Sequence, residues 1–200
     1  MAAPALDFYY EFASTYSYPA AMRLADIADK AGVAVRWRPF LLGPIFAEIG
    51  LTTSPFNTQP AKGRYMRRDV ERTMTAHGLP FRMPEPFPAN SLLAARLATA
   101  LPDDGRRAVF SRGVYRAAFG EGADIGDATV LGEILKAQGI EPAPLLVAAG
   151  GDAVKRELRA TVETAKAAGI FGAPSFVTAD GELFWGNDRL DQAVAWAAKG

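Results

Sequence analysis

The chain has no cysteine among its 200 residues and a single histidine, His77. Without thiols it makes no disulfide, no thiolate metal site and no thiol nucleophile of its own. Sulfur chemistry would need sulfur brought in by a ligand, and His77, with no His or Cys partner, gives no metal centre. Net charge is absent as well: 22 basic and 22 acidic residues cancel, which argues against bulk attraction to nucleic acid or to an anionic membrane surface. Nowhere do about eighteen apolar residues follow one another, and the N-terminal MAAPALDFYY lacks a basic region followed by an apolar run. These absences predict a cytoplasmic protein whose partners are small molecules or copies of itself, with no nucleic acid and no membrane. Internal repeats and low-complexity stretches are absent too.

What is present is a mixed pattern. Half the residues are hydrophobic, enough to bury a sizeable core in one domain. Leu6, Phe8, Tyr10 and Phe12 alternate with Asp7, Tyr9 and Glu11 at period two, which predicts a strand. From Tyr18 to Ala31 the apolar residues recur at helical spacing, Pro19 suits an early helical position and Gly32 suits the stop. Val33, Val35 and Trp37 then alternate in a second strand ending at Pro39, so the opening is a right-handed βαβ unit with a parallel pair. Helical patterns dominate the middle: Tyr65 to His77, Ser91 to Leu101, Arg106 to Phe119, Asp127 to Gln138 and Asp152 to Ala168, with Asn90 or Ser91, Asp127 and Asp152 as N-caps and Gly139 and Gly169 as stops. The end reverts to strands, PSFVTA and ELFWG about a turn at Asp180-Gly181, followed by a helix starting near Asp188.

Strand, helix, strand, a helical block, then two strands and a helix is the order of a thioredoxin-like α/β domain interrupted by an all-helical insertion. Neither end piece alone has enough sheet to bury a helix on each face. The expected division is residues 1–42 and 170–200 for the thioredoxin-like part and 43–169 for the insertion.

In such a fold the stretch after the first strand sits at the N-terminus of the first helix, where free N–H groups and the helix dipole favour an anion. Here it reads Ser14-Thr15-Tyr16-Ser17, hydroxyls at the spacing redox proteins give to paired cysteines. A serine with no histidine near it in sequence is a poor nucleophile. Two readings remain open from the residues: Ser14 or Ser17 caps the helix, or its hydroxyl donates to a ligand's thiolate and lowers a thiol pKa from its free value of about 8.5. Glutathione is the natural thiol.

The segments DFYYEFASTYSYPA, RPFLLGPIF, FNTQPAKGRYMRRDVER, GLPFRMP and GIFGAPSFVTADGELFWGNDRL resemble the corresponding blocks of 2-hydroxychromene-2-carboxylate isomerases, relatives of kappa-class glutathione transferases and, more distantly, of DsbA-type oxidoreductases. The resemblance runs from residue 6 to about 198. It implies a glutathione-dependent cis/trans isomerase, a homodimer, acting on an aromatic carboxylate of this kind by reversible thiolate addition. Ser14 matches the family serine that contacts the glutathione sulfur, although Thr15 replaces the proline that usually follows it. Ala173 and Pro174 match the cis-proline turn that pairs with the peptide part of the ligand. Asn57 and Lys62 match the loop approaching its glycine end, while Asn187, Asp188 and Arg189 match the segment at its γ-glutamyl end. Asp188 is otherwise simply the N-cap of the last helix. The alternatives are a kappa-like transferase or peroxidase that consumes glutathione, and a non-enzymatic binding protein on a thioredoxin fold.

Other features read as structural. Arg64, Arg67, Arg68 and Arg72 are interleaved with Asp69 and Glu71 in a pattern typical of a solvated helix face. His77 precedes Gly78 where a helix ends and its dipole is negative. Tyr16, Trp37, Tyr65, Phe87, Phe171 and Trp185 are expected in the core or in a pocket wall.

Overall fold

A computed structural model describes residues 4–48, 50 and 59–199. Strand β1, Ala5–Tyr10, pairs in parallel with β2, Ala34–Pro39, and the connection between them is helix α1, Ser17–Ala31. After the helical middle, β3, Ser175–Thr178, pairs antiparallel with β1, and β4, Leu183–Trp185, pairs antiparallel with β3. The sheet order is β2-β1-β3-β4. This is the thioredoxin-like α/β arrangement that the order of patterns predicts, with its helical block between β2 and β3.

The sheet is buried on both faces. Leu6, Phe8 and Tyr10 point into the main core, where Phe8 stacks on Tyr10 at 5.1 Å and on Phe176 at 5.3 Å and meets the edge of Trp37 at 5.0 Å. Offset stacks and edge contacts at these separations match the ring quadrupoles as well as removing apolar area from water. Tyr9 faces the other way and is buried in a second cluster with Phe40, Ile45, Val162, Ala165 and Ile170. This second face is mixed: Tyr9 is buried on it and Glu11 is buried beyond the strand's end, while Asp7 pairs with Arg36 at 2.6 Å and Arg38 at 2.8 Å.

The helical block contains α2, Leu42–Glu48; α3, Pro60–Ala76; α4, Leu92–Ala100; α5, Asp104–Tyr115; α6, Ala128–Lys136; α7, Pro142–Gly150; and α8, Asp152–Ala167. The short α2 and α7 were not legible, because Pro44, Pro142 and Pro144 mask the helical period. Pro60 opens α3 at an early position, five residues before the expected start, since a missing N–H costs nothing there. The caps are physical: Asp127 accepts from the Thr129 N–H at 2.7 Å, and Asp103 accepts from the Arg106 N–H at 2.8 Å. Asp152 is instead the first helical residue, with Gly151 before it. Gly139 and Gly169 stop their helices at φ of +71° and +74°, a backbone region that disfavours a Cβ. Helix α5 relaxes into a π-helical turn over Arg116–Glu121.

Arg107 ties this block to the sheet. Its guanidinium donates to the Ala98 carbonyl at 2.8 Å, the Leu101 carbonyl at 2.9 Å, the Asp104 carboxylate at 2.9 Å and the Trp37 carbonyl at 3.3 Å. Asp104 in turn accepts from the Trp37 N–H at 2.9 Å, so the start of α5 engages both backbone groups of Trp37 on the outer edge of β2.

The last helix, α9, spans Leu190–Ala197 and follows a 3-10 turn over Asn187–Arg189. Its N-cap is Arg189, so the expectation that Asp188 caps the last helix is corrected: Asp188 lies inside the preceding turn. No helix among the described residues is long and apolar enough to cross a membrane.

Candidate active site

The end of β1 delivers a tight turn. The Ser14 N–H bonds to the Glu11 carbonyl at 2.9 Å and the Ser17 N–H bonds to the Ser14 carbonyl at 3.1 Å, after which α1 begins at Ser17. The Ser14 hydroxyl has one proton, and it donates it to the Ala173 carbonyl at 2.9 Å across 159 positions of sequence. The same oxygen accepts from the Ser17 N–H at 3.3 Å. Both open readings of Ser14 are thus present in the geometry: its oxygen sits over the first N–H of α1, and its proton points out of the helix to a carbonyl.

Ala173 and Pro174 are joined by a cis peptide bond, one of three cis X-Pro bonds in the described residues, with Glu85-Pro86 and Phe87-Pro88. The Pro174 carbonyl accepts from the Gly186 N–H at 2.9 Å, which draws the Asn187 segment to the same turn. Ser14, Ala173, Pro174 and the start of the 187–189 turn are therefore one local structure. The N–H of Ala173 has no acceptor among the described residues.

The other predicted positions divide. Asn187 is buried, and its side-chain oxygen accepts from Arg23 at 3.3 Å, while Arg23 also reaches Asp191 at 2.8 Å. Asp188 and Arg189 are exposed and 3.7 Å apart. Lys62 is exposed in the first turn of α3, and no contact among the described residues joins it to Ser14. Asn57 lies outside the described residues.

Three arrangements beside the motif were not legible in the sequence, although Tyr16, Phe171 and Trp185 were expected in the core or a pocket wall. Glu11, three residues before Ser14, is buried at the end of β1 and accepts from the Leu42 N–H at 3.0 Å and the Ala13 N–H at 3.3 Å. Burial pushes its carboxyl above the ordinary range, opposed by hydrogen bonds from Ser91 and from the N–H groups of Leu42, Ala13 and Phe12. Tyr16, inside the motif, donates to Asp69 of α3 at 2.9 Å, and burial, then this carboxylate, raises its phenol pKa. Phe171 and Trp185 form an aromatic pair with ring centroids 4.9 Å apart, each about half exposed, beside Gly172. A Cβ at Gly172 would collide with the Trp185 indole, so the absence of a side chain there lets the ring lie against the backbone next to Ala173. The one signal available was a carboxylate in an otherwise apolar strand end.

The raised Glu11 pKa has a consequence for stability. A carboxyl whose pKa is higher folded than unfolded binds its proton more tightly in the native state, so its contribution is present below pH about 4.5 and is lost as pH rises through the raised value. Urea unfolding of wild type and Glu11→Gln across this window is expected to show wild type losing stability relative to the variant as pH increases. A difference that stays constant with pH would mean that Glu11 is not destabilised by burial.

A thioredoxin-like domain whose motif carries serines in place of thiols, beside a cis-proline turn, is the class that this geometry defines. The chain belongs to the family of the DsbA-like thioredoxin domain, which it matches over residues 5–195. It is 29% identical to a 2-hydroxychromene-2-carboxylate isomerase of Sphingobium xenophagum over 93% of this chain and 94% of that protein. It is 24% identical to a glutathione S-transferase kappa 2 of Caenorhabditis elegans over 96% of this chain and 91% of that one. A solved structure of a 2-hydroxychromene-2-carboxylate isomerase superposes with a TM-score of 0.88 at 23% identity, covering 98% of this chain and 95% of that one, which shows the shared fold.

Proposed function

We propose that the protein is a glutathione-dependent cis/trans isomerase acting on 2-hydroxychromene-2-carboxylate or a related aromatic carboxylate. The observation that carries this reading is the Ser14 hydroxyl, held 2.9 Å from the carbonyl of the residue before a cis-proline, at the start of a helix, in a chain without cysteine. The names of the relatives support both the glutathione and the reaction class.

The residues present fit glutathione. The unpartnered Ala173 N–H precedes a strand and is free to pair with a peptide. Asn187, Asp188 and Arg189 follow Gly186 next to the same turn and would receive the γ-glutamyl end, with Asn57 and Lys62 toward the glycine end. When bound, glutathione supplies a thiolate for reversible addition to a conjugated double bond, which frees that bond to rotate.

The chain's own part is electrostatic. Turning the Ser14 proton away from Ala173 and onto a sulfur anion gives a charge-assisted hydrogen bond where the first N–H groups of α1 already favour negative charge. The same rotation releases the Ala173 carbonyl to accept from a peptide N–H. One hydroxyl thereby serves two states, satisfied by protein before binding and by ligand after it. Tyr16 holds α3 to the motif through Asp69, which keeps the helical block over the site. Phe171 and Trp185 offer an aromatic wall beside it.

Stoichiometry tests the reading. With 2-hydroxychromene-2-carboxylate as substrate, many turnovers per glutathione are expected, with free thiol constant throughout. Thiol loss equal to product formed would assign the kappa-like transferase reading instead, and failure to retain glutathione would support a non-enzymatic protein. A second expectation is that the purified protein shows no insulin reduction above background, since it has no thiol to exchange. Clear disulfide exchange by the protein alone would overturn the assignment of this motif.

A further inference from the structure

Between α2, α4 and α8 lies a cavity of about 220 Å³. Its apolar floor comes from Leu92 of α4 and Leu158 and Val162 of α8, and its rim from Arg96, Lys155 and Arg159. The spacing explains the arrangement. Leu92 and Arg96 are four apart on α4, and Lys155, Leu158, Arg159 and Val162 fall at i, i+3, i+4 and i+7 on α8, so each helix turns an apolar and a cationic position to the same gap. Leu92 is 37% exposed, unusual for a leucine facing another helix.

Among the described residues the cations are largely unpaired. Neither Arg96 nor Arg159 pairs with a carboxylate among the described residues. Lys155 has only a 3.7 Å approach to Asp152, which is itself 84% exposed. The single carboxylate on the rim, Glu163, is engaged by Lys166 at 3.0 Å. A hollow with an apolar base and, at its mouth, guanidinium groups that pair with no carboxylate among the described residues matches a ligand with an apolar body and one anionic end. Guanidinium is the group best suited to a carboxylate, because its planar fork donates to both oxygens. The volume lies below the roughly 300 Å³ at which drug-sized sites begin, which restricts the occupant to a small molecule.

We infer that this cavity is a binding site for a small apolar carboxylate, its chain on Leu92, Leu158 and Val162 and its carboxylate between Arg96 and Arg159. The site is separate from the Ser14 turn, which contributes no residue to its lining, and the inference goes beyond the proposed isomerase activity.

Calorimetric titration with octanoate tests it, with 1-octanol as the uncharged control. Saturable binding of one octanoate per chain is expected, at least tenfold tighter than octanol and weakened by added salt. Arg96→Gln combined with Arg159→Gln should weaken octanoate at least tenfold while leaving octanol unchanged, and circular dichroism checks that the variant is folded. Ser14→Ala should bind octanoate as wild type does, and the double arginine variant should bind glutathione as wild type does, so that failure here and failure of the Ser14 reading remain separate. No saturable binding of octanoate, equal binding of octanoate and octanol, or unchanged affinity in the folded double variant would each overturn the assignment.

Discussion

Replacing Ser14 by Ala is expected to lower glutathione-dependent turnover by ten- to a hundredfold while leaving the fold intact. The two effects differ in size for a physical reason. As a cap, the Ser14 oxygen accepts a single 3.3 Å hydrogen bond from the Ser17 N–H, and losing a cap costs about 1 kcal/mol, a fraction of ordinary domain stability. As a donor to a sulfur anion in a partly dry site, the same hydroxyl is worth roughly 1.5 to 3 kcal/mol, the usual range for hydrogen bonds to charged groups, and each 1.36 kcal/mol is about tenfold in rate. The fold is checked by thermal unfolding and the rate by steady-state turnover at saturating glutathione. Turnover at the wild-type rate would leave Ser14 as a helix cap only.

Arg107→Ala should be the most damaging single change outside the apolar core. Its guanidinium, with only 12% of the side chain exposed, satisfies the carbonyls of Ala98, Leu101 and Trp37 and pairs with Asp104. Truncation removes this donor from three carbonyls, while Asp104 keeps the Trp37 N–H and Ala98 keeps the Leu101 N–H; a buried acceptor left without its donor costs about 1 to 3 kcal/mol, so a loss on the order of 3 to 5 kcal/mol is expected in all. For a chain of this size that is a fall in melting temperature on the order of 10 °C. Arg107→Lys should recover little, since an ammonium cannot reproduce a fork that spans β2 and the end of α4. A melting temperature within a degree or two of wild type for Arg107→Ala would show that the helical block is held to the sheet by packing alone.

Sequence reading succeeded where short-range rules govern the outcome and failed where a contact crosses the chain. The order of strands and helices followed from alternation and helical spacing, and the parallel β1-β2 pair from the helix between them. Gly32 and Asp127 behaved as stop and cap because each acts on backbone within a few positions. The Ser14 motif was legible from the residues and the Pro174 turn only through similarity to a known family, and only the structure gives the 2.9 Å bond that joins them. Arg107 carried no signal at all, because nothing local marks an arginine as buried when its acceptors are carbonyls at the end of α4 and on β2. The burial of Tyr9 and Glu11 carried no signal either, because alternation marks a strand and what packs on each side of the sheet is decided by distant elements. Tyr16 was expected among apolar neighbours, and its partner Asp69 lies 53 positions away in a helix whose charges read as solvated.

Whether Ser14 acts as a donor to sulfur is tested most directly by ultraviolet titration of the thiolate of bound glutathione against pH, in wild type and in Ser14→Ala. The predicted result is a bound-thiol pKa in wild type clearly below the free value of about 8.5, and an upward shift in Ser14→Ala. An equal pKa in the two proteins, with glutathione bound to both, would contradict it.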